Sequence, residues 1–195
     1  MRYASALAMA ALLAASACGG SPAGPSGGSA LNVRITDGPF TNAKAVLVTF
    51  SGLRAHRAEN EWEDVQFAGG ATTRTCDLKK LENEASDILG SGDSLPAGQY
   101  TQIRLVVTSA TLYFDNASDG PTCAPTITAP DGATASLEIP SGEVKLNRGF
   151  ELVNAGTTTI LLDFDGDRSI RETGNGRYMM SPVIGIVSVT PSSTP

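Results

Sequence analysis

Along most of the chain, apolar and polar residues alternate with a period of two, the period of a strand with one buried face. The pattern opens at Leu31: Leu31, Val33 and Ile35 alternate with Asn32, Arg34 and Thr36, and TDGP at 36–39 predicts a turn. A longer run from Lys44 to Arg57 puts Val46, Val48 and Phe50 on one face, with Gly52 placed for a bulge. Trp62 to Phe67 predicts its hairpin partner across the polar turn at 57–61. Leu95-Pro96-Ala97-Gly98 breaks the chain, and Gln99 to Phe114 then alternates again through Ile103, Leu105 and Val107. Asn116 to Pro125 reads as a loop, and Ala135–Ile139, Val144–Val153, Thr157–Phe164 and Tyr178–Val189 supply four more strands. Only Asp77 to Leu89 carries helical spacing, in Leu78, Leu81, Ala85, Ile88 and Leu89.

Roughly eight to ten short strands divided by turn residues predict an all-β chain. The expected architecture is a single β-sandwich, Ig-like or transthyretin-like with Greek-key links, with at most one short helix. Composition agrees. Among 195 residues, 21 are Gly and 11 are Pro, which supply turns, and the length suffices for one domain with a sizeable core. Lys and Arg number 14 against 20 Asp and Glu, a net charge of −6. Phosphate backbones repel such a chain, so nucleic acid is not an expected partner. No basic cluster is placed to hold anionic lipid heads. Membrane attachment is therefore expected to be hydrophobic or covalent.

The N-terminus supplies a covalent route. Residues 1–17 read MRYASALAMAALLAASA: Arg2 gives a short positive start and Ala6 to Ala15 an apolar stretch. A membrane span takes roughly 20 apolar residues, so this stretch is too short for one and fits a cleaved secretory signal peptide. Ala15-Ser16-Ala17-Cys18 resembles the lipobox of bacterial lipoprotein precursors, with Ala15 where Leu is commonest. The resemblance implies cleavage before Cys18, a lipid on its sulfur, and acylation (palmitate or a similar chain) of the new amino group. The other reading is an ordinary signal peptide cut after Ala17. Gly19 to Ser29, GGSPAGPSGGS, cannot join a core and reads as a flexible spacer. Gly19 is not the Asp that resembles an inner-membrane retention signal, so by that analogy the expected location is the outer membrane of the cell envelope. The chain thus divides into a signal peptide (1–17), a lipidated Cys18 with its linker (18–30), a β-sandwich domain (31–189) and a disordered tail (190–195).

Beyond Cys18 the chain has only Cys76 and Cys123. An oxidising compartment makes a disulfide between them one reading, and two separate thiols the other. No CxxC pair exists, and His56, the single histidine, cannot complete a Cys/His zinc set alone.

The most suggestive chemical group is Asp163, Asp165 and Asp167 in LLDFDGDRS. If the strand continues, alternate residues share a face and three carboxylates point one way, with Leu162 and Phe164 on the other. A hard cation such as Ca²⁺ would relieve their repulsion through oxygen ligands, and Asp37 would join them if the fold brings it near. Arg148, Arg168 or Arg171 would relieve the same repulsion without a cation, which makes a salt-bridged or solvated strand end the competing reading. The EF-hand pattern is not met: Arg168 stands where that loop needs Gly and Gly174 where it needs Glu. Any Ser-His-Asp or Cys-His mechanism would need His56, and no GxSxG elbow exists. Trp62, Tyr100, Tyr113 and Tyr178 are the aromatic supply for a sugar platform beyond phenylalanine, though a strand tryptophan more often packs a hairpin.

Six segments in order carry a family resemblance: LNVRITDGPF, VLVTFSGLRAH, LPAGQYTQIRLVV, IPSGEVKLNRGFEL, LLDFDGDRSI and YMMSPVIGI. Together they resemble the DUF4382 family over residues 31–188. That resemblance implies a bacterial protein, often a lipoprotein, whose defining domain has no assigned function and no catalytic residues to carry over. LPAGQY alone is also similar to a hairpin of transthyretin-like and pilin-like sandwiches. The expectation is a non-enzymatic envelope lipoprotein, attached through Cys18, whose sandwich binds an envelope protein or a polysaccharide or serves as a structural spacer. No cofactor is expected beyond the Ca²⁺ reading. The alternative is a carboxylate- or metal-dependent hydrolase acting on an envelope or extracellular substrate.

Overall fold

The structure is a computed structural model that describes residues 28–38 and 42–193, the last by its backbone alone. The expected signal peptide, Cys18 and most of the linker lie outside the described residues. So do residues 39–41, which hold the end of the expected TDGP turn.

In chain order the first strands are β1 (Ser29–Asp37), β2 (Ala45–Arg57), β3 (Trp62–Asp64), β4 (Gln66–Phe67) and β5 (Arg74–Asp77). Next come β6 (Asp87–Leu95), the long β7 (Gly98–Tyr113), β8 (Cys123–Ala124), β9 (Thr134–Glu138) and β10 (Glu143–Leu152). The chain finishes with β11 (Gly156–Phe164), the single-turn helix α1 (Gly166–Ser169), β12 (Ile170–Gly174), β13 (Arg177–Met180) and β14 (Ile184–Ser193). Among the described residues no helix is long and apolar enough to cross a membrane.

These strands form two sheets that pack as an all-β sandwich. The smaller has five strands in the order β14-β11-β1-β6-β4, with β1 parallel to β11 and antiparallel to β6. The larger has nine, running β12-β13-β9-β7-β2-β5-β8, with β10 beside β7 and β3 beside β2. The period of two does the sorting. Leu31, Val33 and Ile35 from β1 and Leu162 and Phe164 from β11 meet Val48, Phe50, Ile103 and Leu105 from β2 and β7 in one core. Each of these nine side chains is fully buried.

Several elements differ from the sequence expectation. The helical spacing of Asp77 to Leu89 yields only a single 3-10 turn, Leu78–Lys80, and the chain enters β6 at Asp87. Asn83 and Glu84 take positive φ of 58° and 66°, which ends any helical run. The segment instead lies on β1, whose Thr36 hydroxyl donates to the carbonyls of Leu81 and Ala85 and whose Arg34 donates to the Ser86 carbonyl. Trp62 to Phe67 is not one strand. Its first half pairs with β2, then the chain crosses to the other sheet and pairs with β6. Gly90 permits the crossing, because a Cβ there would lie 2.7 Å from the Gln66 carbonyl oxygen. Tyr178 to Val189 is likewise two strands, split around Pro182, which has no N–H to give a ladder. Cys123–Ala124 is a short strand inside the expected loop, and β12 was not foreseen. The expected disordered tail, 190–195, is not borne out over its first four residues: Thr190 to Ser193 continue β14 against β11, while 194–195 lie outside the described residues. At the other end, Ser29 and Ala30 belong to β1 rather than to the linker.

Candidate functional site

The four aspartates of the calcium expectation do not converge. β11 ends at Phe164, and Asp165 turns to cap α1, its side chain accepting from the Arg168 backbone N–H at 3.0 Å. Asp167 is exposed in the first turn of that helix. Asp163 pairs with Thr36 of β1 and Gly185 of β14, on the face of the smaller sheet away from the core. Burial, and secondarily the charge of Asp165, holds its pKa above the ordinary range. Asp37 lies one residue further along β1, opposite Phe164, so its side chain turns inward and is only 5% exposed. The shared face required a strand running past Phe164, and the N-cap geometry at Asp165 removes it. Among the described residues no three His, Cys, Asp or Glu side chains are grouped to hold a metal ion.

Asp37 does something else. Its Oδ1 accepts the Gly166 N–H at 3.1 Å, which ties the end of β1 to the start of α1. Its Oδ2 is buried with no hydrogen-bond partner among the described residues. Burial is the main cause that pushes its pKa up to about 8, with Glu82 and Asp163 adding repulsion against the opposing pull of the Gly166 N–H and Lys79. A carboxyl so placed is protonated below neutral pH and costs stability when it ionises.

Cys76 and Cys123 are joined by a disulfide, directly opposite each other on β5 and β8. Neither therefore offers a thiolate for a Cys-His mechanism. Tyr100, of LPAGQY, is buried and donates its hydroxyl to the Pro96 carbonyl at 2.9 Å, a local tie like the tyrosine corner of β-sandwiches. Burial pushes its pKa up to about 12, so the hydroxyl remains a donor. Tyr113 is buried in a small satellite cluster with Ala45, Leu47 and Ile127, and Tyr178 is half-buried against Phe114.

Trp62 and His56 come together on the outer face of the larger sheet. They are cross-strand partners, with ring centroids 4.5 Å apart. His56 Nδ1 also lies 2.9 Å from Thr101 Oγ1. Arg104 from β7 places its guanidinium 4.2 Å from the centre of the Trp62 ring, and Arg54 from β2 lies 5.6 Å away. Asp64 pairs with Arg54 at 2.7 Å, and Glu143 from β10 lies between Arg104 at 3.6 Å and Lys145 at 3.3 Å. Gln102 and Asn147 are hydrogen-bonded across β7 and β10. The outcome is a half-exposed tryptophan set among paired cations, amides and carboxylates.

Sequence reasoning singled out Trp62 and His56 but not Arg54, Gln102, Arg104 or Asn147. Their signal was present as the polar half of the alternation in GLRAH, TQIRL and VKLNR. Which polar residues stand side by side depends on register between strands, and nothing local encodes it.

Comparison with known proteins gives one match. The sequence model of a family described as a domain of unknown function (DUF4382) matches residues 28–182. No curated protein and no solved structure matches the chain.

Proposed function

This chain belongs to the DUF4382 family, and from that premise we propose that it is a bacterial envelope lipoprotein, tethered through lipid on Cys18, whose β-sandwich has a non-enzymatic binding role. The observation that carries the reading is the Cys76–Cys123 disulfide. Such bridges form and persist in oxidising compartments, which supports export. The bridge also accounts for two of the three cysteines and leaves Cys18, directly after Ala15-Ser16-Ala17, for acylation. The first strand begins at Ser29, where the Gly/Ser/Pro tract ends. A spacer between anchor and folded body is the arrangement that lets a tethered domain stand clear of a bilayer. Two or more acyl chains, at about 0.8 kcal/mol per buried methylene, hold such a body stably. The hydrolase alternative lacks a matching observation, since the aspartates diverge and His56 packs on Trp62.

Mass spectrometry of the protein extracted from its native envelope tests this. The expected N-terminal peptide begins at acylated Cys18, and Cys18→Ala moves the protein from the detergent phase to the aqueous phase. An unacylated N-terminus, or a Cys18→Ala variant that still partitions into detergent, overturns the reading.

A further inference from the structure

We propose that the outer face of the larger sheet around Trp62 binds an acidic, uronate-bearing polysaccharide. The registers of β3, β2, β7 and β10 lay out two rows across this face. One is Trp62, His56, Gln102 and Asn147, and the next is Asp64, Arg54, Arg104 and Lys145. Four strands at about 4.8 Å spacing make a platform roughly 14 Å wide, the scale of a short oligosaccharide. Arg54 and Asp64 also line a recess of about 730 Å³ running along Gly52, Leu53 and Gln66.

The chemistry of the rows selects the ligand. Their one apolar surface is the Trp62 ring, and the remaining side chains are charged or polar and mostly planar. A protein interface wants several apolar anchors at its centre. A glycan wants one aromatic face for the C–H side of a sugar ring and planar donors and acceptors for its hydroxyls. Charge then favours an acidic glycan over a neutral one. Arg54 and Arg104 are direct cross-strand partners, and like charges so placed destabilise a sheet. Trp62 sits against both guanidiniums; Asp64 reaches Arg54 at Nε, 2.7 Å away, while Glu143 stands 3.6 Å from Arg104 and is shared with Lys145. Arg104 Nε is buried with no hydrogen-bond partner among the described residues. A planar carboxylate set between two guanidiniums satisfies both through charge-assisted, bidentate bonds. The net charge of −6 sits on the chain as a whole and is screened beyond about 8 Å at physiological salt, so contact at this patch decides.

This deepens the envelope reading by giving the tethered domain a ligand, and it rests on that reading for where the ligand is met. Trp62 is the single tryptophan of the chain, so its emission reports on the site alone. The full chain in mild detergent is titrated with oligogalacturonate, with a neutral malto-oligosaccharide, and with polyglutamate of matched charge. We expect a saturable emission change with oligogalacturonate, little response to the other two, and affinity weakened about tenfold in Arg104→Gln. No saturable change, an equal response to malto-oligosaccharide or polyglutamate, or undiminished affinity in a folded Arg104→Gln overturns the proposal. Lys145 is exposed, so Lys145→Gln guards against misfolding: weaker binding supports the site, and unchanged binding counts against it. Binding by a Cys18→Ala chain is read in the same way, so ligand and anchor fail separately.

Discussion

The buried carboxyl of Asp37 gives the folded chain a pH response of definite sign. Asp37 has an ordinary unfolded pKa near 3.8 and a folded pKa raised to about 8. Between these values the folded chain holds a proton that the unfolded chain has lost. The stability tied to the neutral carboxyl is therefore full below about pH 4 and is lost as pH rises toward about 8. Asp37→Asn keeps an acceptor for the Gly166 N–H and cannot ionise. Thermal melts at pH 5 and pH 8 are expected to show a smaller drop in Asp37→Asn than in the wild type, with the variant the more stable at pH 8. Parallel melting curves for the two proteins across that range would show that Asp37 does not titrate as described. Asp163 shifts in the same direction, but its side chain is outside the core and the change at Asp37 isolates one group. The sequence offers Asp37 as a turn residue or as a fourth carboxylate of a cation cluster. That it is a core-facing acid follows from its inward place in the alternation of β1.

Among the elements, β8 illustrates how little a short strand can hold by itself. Its two residues pair with β5 at Thr75 and Cys76. The long segment that carries it is fastened by a few further ties: Asp87 accepts the Cys123 N–H, Asp77 donates its backbone N–H to the Thr122 carbonyl, and Ser118 donates to the Asp77 carboxylate. The disulfide closes a loop spanning 47 residues between two core positions. Replacing both cysteines by serine is expected to cost about 3–4 kcal/mol by loop entropy, or about 10 °C in melting temperature for a domain of this size. Calorimetry of the double variant measures this, and an unchanged melting temperature would mean that the other ties already hold β8. The chain carried the two cysteines in plain view. Their pairing needed the approach of β5 and β8, which is a property of the sheet.

At the scale of the whole molecule, the smaller sheet is assembled from both ends of the chain. β1 lies between β6 and β11, and β14 closes the sheet outside β11. Such non-local pairing pays its chain-closure entropy before any contact rewards it, so folding in the millisecond-to-second range is expected. It also makes the C-terminal strand structural. Ile184, Ile186 and Val189 of β14 pack on the core. A chain ending before Ile184 would expose β11 as an unpaired edge beside Ile160 and Leu162. Loss of a cooperative melt and onset of light scattering are the expected results. A truncated chain that melts as the full one does would show that β14 is dispensable.

The alternation of apolar and polar positions by itself determined that the chain is a β-sandwich and which side chains face inward, because a side-chain period of two is a local property of extended backbone. Local composition also marked the strand break at Leu95 to Gly98, since turn chemistry is read from adjacent residues. Only the tertiary structure decided the split of Trp62 to Phe67 between two sheets, the fate of Asp77 to Leu89 as a covering segment, and the divergence of the four aspartates. It alone set Arg54 against Arg104 beneath Trp62. These outcomes depend on register and crossing between strands distant in sequence, which are settled by how two faces pack and not by any one segment's own pattern.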